Sequence, residues 1–167
     1  MLSFMNKQKK SLIIHPFLLS IFPIIALFSS NVRELSFQEM FLPMVLILSF
    51  TIGIWILLRY ILKNYRKSAF IISLLLILFF SYGHVYNLVD DVTVAGLDIG
   101  KSRYLLVPYI FSLGVGAYYF IRTTRKLDKA TTITNYITIS LILIVSVNIA
   151  TFYMASDESF YSEQTFE

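Results

Sequence analysis

The chain contains no cysteine. Disulfides are therefore excluded, and so are thiolate metal sites. Histidine is almost as scarce: His15 and His84 are the two in 167 residues, too few for a histidine-rich metal centre. Charge is thin as well. Asp, Glu, Lys and Arg make up 14% of the chain, against about 25% in an ordinary soluble domain. There is no HExxH, no GxSxG, no Walker loop and no inverted repeat of six or more spans, so no familiar hydrolase, nucleotide-binding or transporter pattern is present. No cofactor or metal site is expected.

What the chain does have is apolar length. Hydrophobic residues make up 57% of it, and its mean hydropathy is +0.72. A run of about 20 apolar residues crosses the hydrocarbon core of a bilayer as a helix, and five runs approach that length. The expected fold is all-α and polytopic, a five-helix transmembrane domain over residues 1–155. The expected spans are 12–28, 40–58, 69–89, 104–121 and 133–154. The acidic tail, 156–167, is expected to be disordered outside the membrane, or to be the start of a longer chain.

Local signals support the divisions. The stretch after Lys10 is longer than a signal-peptide core, and Leu27-Phe28-Ser29-Ser30 offers no small-x-small cleavage site, so it reads as an uncleaved first span. Pro16 falls in its first turn, where a missing N–H costs little, and Pro23 should kink it. Ser36 and Glu39 have the capping-box spacing ahead of the second span. Trp55 and Tyr60 suit an interfacial belt near its end. Gly114, Gly116 and Ala117 form a small-residue patch on the fourth span where another helix could approach closely.

Charge segregation orients the spans. Eleven of the 14 Lys and Arg fall in three clusters: Lys7, Lys9, Lys10; Arg59, Lys63, Arg66, Lys67; and Arg122, Arg125, Lys126, Lys129. Of the acids, Asp128 alone shares a basic cluster. Short basic loops face the cytoplasm, so the topology is N-in and C-out with both long polar connectors outside. The pI near 9.3 reflects this asymmetry, and nucleic acid is not an expected partner. The lipid bilayer is.

The third span ends in a polar and aromatic cluster, Tyr82, Gly83, His84, Tyr86, Asn87, Asp90 and Asp91. His84 and Asn87 are three residues apart, and Asp91 lies two turns beyond His84 if the helix continues, so one face would present imidazole, amide and carboxylate. With Lys101 and Arg103 nearby, the outer end becomes a candidate vestibule or headgroup-binding site formed by His84, Asn87, Asp91 and Arg103. Tyrosine, histidine and asparagine at a span end are equally ordinary interfacial anchors. One histidine with two aspartates falls short of a metal site. No ionisable residue is expected deep in the spans, and Asn135, Thr138, Ser146 and Asn148 read as interhelical hydrogen-bond formers, each worth about 1 kcal/mol or less. His15-Pro16-Phe17 reads as a loop-to-helix junction.

Four stretches carry a family resemblance. They are His15-Pro16-Phe17 with Asn31 after the first span, FFSYGHVYNL at Phe79 to Leu88, the run Lys101-Ser102-Arg103-Tyr104-Leu105-Leu106, and Thr131-x-x-Thr134-Asn135-Tyr136. Together they resemble the N-terminal membrane region of sulfatase-like (alkaline-phosphatase superfamily) integral membrane proteins of bacteria and archaea. Lipoteichoic acid synthases and phosphoethanolamine transferases have this layout, about five spans followed by an outside catalytic domain. The family's metal-binding carboxylates and its nucleophile belong to that outer domain, so no catalytic residue carries over. The resemblance implies a non-catalytic module in a prokaryotic cytoplasmic membrane, anchoring or positioning an outside catalytic domain or partner protein. A lipid- or small-molecule-binding protein using the outer vestibule is the alternative. A small oligomeric transport or channel subunit, assembled through the glycine patch, is a further one.

Overall fold

The structure is a computed structural model. It describes residues 11–89, 93–94, 97–98 and 102–164, with side chains described for 11–89 and 104–155. Five helices account for nearly all of it: α1 His15–Ser30, α2 Phe41–Leu62, α3 Tyr65–Val89, α4 Ser102–Arg122 and α5 Asp128–Gln164. Four segments, Phe37–Leu62, Tyr65–Val89, Tyr104–Arg122 and Asp128–Ala155, are long and apolar enough to cross a membrane. Helix α1 is shorter, at 16 residues, about 24 Å along its axis.

Each helix starts and stops where local chemistry directs. Pro16 lies in the first turn of α1, where an N–H would have no acceptor anyway. Asn31 closes the other end, its Nδ2 donating to Leu27 O at 2.8 Å. A 3₁₀ turn, Phe37–Met40, leads into α2, and Glu39 reaches back to accept the Ser36 N–H at 3.0 Å, as the capping-box spacing anticipates. Helix α2 stops at Lys63, which adopts the left-handed conformation with φ 51°. Asn64 then caps α3, its Oδ1 accepting the N–H groups of Arg66 and Lys67. The basic connector expected between spans two and three is thus two residues long, and α2 and α3 form an antiparallel hairpin.

Between the third and fourth helices lies a two-residue antiparallel ladder, Thr93–Val94 against Leu97–Asp98. Helix α5 continues without a break through Gln164. The reason lies in its composition: from Asp128 to Gln164 there is neither glycine nor proline, so nothing breaks the helix once the apolar part has nucleated it.

Helices α1 and α3 form the centre of the bundle, α3 packing against α1, α2 and α4, and α1 against α2, α3 and α5. A third of the apolar window of α3 is buried (33%), against 6% for α2, α4 and α5. The core is narrow: Phe28, Ala69, Ile71, Ile72, Leu76 and Leu105 are buried. Leu46, Phe50, Ile110, Phe111 and Ile144 are exposed, an outward-facing apolar coat that suits a bilayer as solvent. Gly116 lets α4 approach α3, since a Cβ there would collide with Leu74, whereas Gly114 faces open space. Of the expected small-residue patch, Gly116 is therefore used within the chain.

Candidate functional site

Polar side chains gather at the end of the bundle that carries the basic connectors, and the gathering starts from α1. Its N-cap residue, Ile14, supplies no side-chain cap. The missing acceptor comes from α5. Asn135 Oδ1 accepts the His15 N–H at 3.0 Å and the Ile14 N–H at 3.4 Å, and its Nδ2 donates to Leu12 O at 2.6 Å. One amide thus serves both donors and an acceptor of the chain just before and at the start of the helix. Ser11 Oγ donates to Asp128 O at 3.3 Å and extends the same attachment.

His15 itself turns into the bundle. It is 0% exposed, shares a hydrogen bond with Ser73 of α3 between Nδ1 and Oγ at 2.8 Å, and lies 4.9 Å from the Phe70 ring. Its Nε2 has no hydrogen-bond partner among the described residues. As the first residue of α1, His15 is buried at the entry to that helix. The junction at His15-Pro16 is real, since α1 begins there, but the imidazole also joins two helices.

A serine hydroxyl 2.8 Å from an imidazole has the spacing of a nucleophile and its base. Here the environment assigns a structural role. Ser73 is 4% exposed and His15 fully covered, and neither lines the large groove described below, so the pair is enclosed by the packing of α1 against α3.

Further ties surround this pair. Arg66 of α3 and Asp128 of α5 form an ion pair at 2.5 Å. Lys67 Nζ donates to Ile121 O near the end of α4 at 2.8 Å, and Trp55 Nε1 on α2 donates to Tyr65 O at 3.4 Å. Thr131 and Thr138 are buried on α5, their hydroxyls donating to carbonyls one turn back. The basic residues are therefore more than a topology signal, because Arg66 and Lys67 also hold α3 to its neighbours.

The opposite end is organised differently. His84 and Asn87 sit on the last turns of α3 and are both exposed. Asp91 lies outside the described residues; Arg103 is the second residue of α4, but its side chain is likewise outside them. The four-residue vestibule expected from the sequence is thus represented by two neighbouring exposed side chains. Among the described residues, no group of three His, Cys, Asp or Glu could hold a metal ion.

Below that end, between α2, α3 and α4, lies an apolar groove of about 1050 Å³. It is lined by Leu75, Leu76 and Phe79 of α3, Leu46 and Phe50 of α2, and Ile110 and Leu113 of α4. Tyr82 and Tyr109 also line it, their rings edge to face at 5.3 Å, and Ser81 Oγ lies 3.3 Å from the Tyr109 hydroxyl. No single residue signals this groove in sequence, because its lining looks like any apolar span. Comparison with family models, with curated proteins and with solved structures finds no match to this chain.

Proposed function

We propose that the chain is a non-catalytic membrane-anchor or positioning module of five spans, with its amino terminus inside and α5 leading outward. The single observation that carries this reading is how the polar side chains at the basic end are used. Asn135, His15, Ser73, Arg66, Asp128 and Lys67 each engage a neighbouring helix, which makes that end a fixed base. Helix α1 is counted as a span because residues 11–14 precede it, attached to α5 through Asn135 and Asp128. The positive-inside rule places that end in the cytoplasm, and a prokaryotic cytoplasmic membrane with an outside partner is the setting the family resemblance implies.

Two measurements test this. The cysteine-free sequence allows single-cysteine labelling in intact cells, with Ser36→Cys expected to react from outside and Thr124→Cys only after permeabilisation. The purified bundle in phosphatidylcholine nanodiscs should turn over neither a phospholipid nor a phosphoester. Turnover by the bundle alone would overturn the anchor reading, and reversed labelling would overturn the orientation. A second reading is lipid or small-molecule binding at the outer vestibule. It is favoured by His84 and Asn87 lying exposed one turn apart at the end of α3; unchanged lipid retention in His84→Ala would count against it.

A further inference from the structure

We propose that the groove between α2, α3 and α4 is a binding site for one hydrocarbon chain of a membrane lipid, held in the leaflet opposite the basic end. The inference rests on the membrane-spanning reading and adds to it a specific site, distinct from the exposed His84 and Asn87.

Position comes first. The groove uses Pro43 to Phe50 of α2, Leu75 to Tyr82 of α3 and Leu106 to Leu113 of α4. The α2 stretch lies wholly in the half of its helix nearest the end opposite the basic connectors, while the α3 and α4 stretches reach back across the middle of theirs. Each is eight residues long, about 10 Å of helix axis, so the groove runs along the membrane normal from the middle of the bundle toward that end. Ile24 of α1 contributes to the lining, placing the fourth neighbouring helix behind the cleft.

The lining chooses between a flexible chain and another helix. Helices that pack on one another in a bilayer favour small residues at the contact, because the backbones then approach closely. The groove lining is Leu, Ile, Phe, Pro and Tyr, with no Gly, Ala, Ser or Thr in it. Bulky walls around an open cleft suit an acyl or isoprenoid chain, which can bend to fill the space. At about 1050 Å³, the cleft reaches the upper end of the range of roughly 300–1,000 Å³ typical of small-molecule sites.

The hydroxyls then set the direction in which a lipid lies. Ser81 Oγ donates to Leu78 O at 3.2 Å, which leaves the Tyr109 hydroxyl as the donor to Ser81 at 3.3 Å and its own oxygen as an acceptor. Tyr82 and Tyr109 are each seven residues from the outer end of their helix, about 10 Å along the axis. That depth lies near the boundary between hydrocarbon and headgroup region. The lipid that fits is one whose chain enters the cleft and whose ester, hydroxyl or phosphate region begins at this tyrosine level.

The test uses the full chain in phosphatidylcholine nanodiscs containing a phosphatidylcholine spin-labelled on its acyl chain. The wild type should give a motionally restricted spectral component equivalent to about one lipid per chain, beyond the boundary lipid. Leu46→Trp and Ile110→Trp, which fill the cleft, should reduce that component about tenfold, or about 1.4 kcal/mol, with the thermal midpoint unchanged. Ile133→Trp, an exposed position on α5 outside the groove, should leave it intact. Equal restricted lipid in wild type and both filled variants overturns the proposal, as does a cleft occupied by a second copy of the chain in cross-linking at Ile110→Cys. The same Ile110→Cys variant separates the two readings. Labelling by a water-soluble maleimide would mean that the spanning arrangement is wrong; protection without restricted lipid would mean that only the groove site is.

Discussion

Asn135 on α5 caps the first turn of α1 from outside that helix, its Oδ1 accepting the His15 N–H at 3.0 Å. A helix ordinarily draws its cap from the residue just ahead of it. Here that residue is Ile14, which has no side-chain acceptor, and the replacement comes from a segment 120 residues away. The consequence is that α1 and α5 are joined at the one point where α1 most needs an acceptor.

Asn135→Leu should therefore destabilise the bundle by about 1–2 kcal/mol, since it strands donors and an acceptor away from water. Asn135→Asp should recover part of the loss, because a carboxylate keeps the acceptor for His15 and loses the donor to Leu12 O. Steric-trapping measurements of unfolding in bicelles would resolve the order. Equal stability of Asn135→Leu and the wild type would show that the amide is dispensable.

The His15–Ser73 bond predicts a pairwise coupling. Ser73→Ala leaves the buried imidazole without its partner and should cost about 1 kcal/mol. His15→Leu combined with Ser73→Ala should cost less than the sum of the two single changes, because neither polar group is then left unmatched. Additivity in a double-mutant cycle would mean that the two side chains do not interact.

At Gly116 the approach of α4 to α3 makes a size-graded prediction. Gly116→Ala meets the far end of the Leu74 side chain, which can rotate, so the loss should be small. Gly116→Leu should cost about 1–3 kcal/mol through overpacking, and Leu74→Ala should restore much of it. Gly114→Leu, with nothing within 4 Å of its Cβ, should be tolerated. Thermal midpoints in detergent would distinguish these outcomes.

The ion pair between Arg66 and Asp128 should contribute modestly. Asp128 is 37% exposed on its side chain, and partly solvated pairs are worth about 0–1 kcal/mol. Asp128→Asn should fall within that range and should lose its effect in high salt. Arg66 also lies over the Tyr65 ring, 5.3 Å from its centroid, so Arg66→Ala should cost more than Asp128→Asn. Measuring both at low and high ionic strength separates the charge contribution from packing.

Much of the architecture was legible in the chain because it depends on local or one-dimensional physics. Apolar run lengths delimit the helices, and Ser36 and Glu39 mark the start of α2. The boundaries that moved did so for equally local reasons. Helix α3 begins at Tyr65, four residues ahead of its apolar run, because Asn64 caps it, and α5 passes through the acidic tail because no residue there stops it. The polar site was less legible. His15 reads as a junction residue beside Pro16, and only the packing of α1 against α3 places its ring on Ser73. Asn135 reads as an interhelical donor, and the contact with residues 12–15 supplies the partner.

Sequence alone determined that the protein is helical, that several of its helices suit a bilayer, and that positive charge is concentrated in one set of connectors, since composition and periodicity act residue by residue. Tertiary structure alone decided which polar groups meet and where space remains. His15 and Ser73 are 58 residues apart, and the groove joins stretches of α2, α3 and α4 whose apolar residues resemble those on any lipid-facing surface. Pairings across such distances follow from how helices pack, and packing depends on side-chain shape on both partners at once, which no single segment encodes.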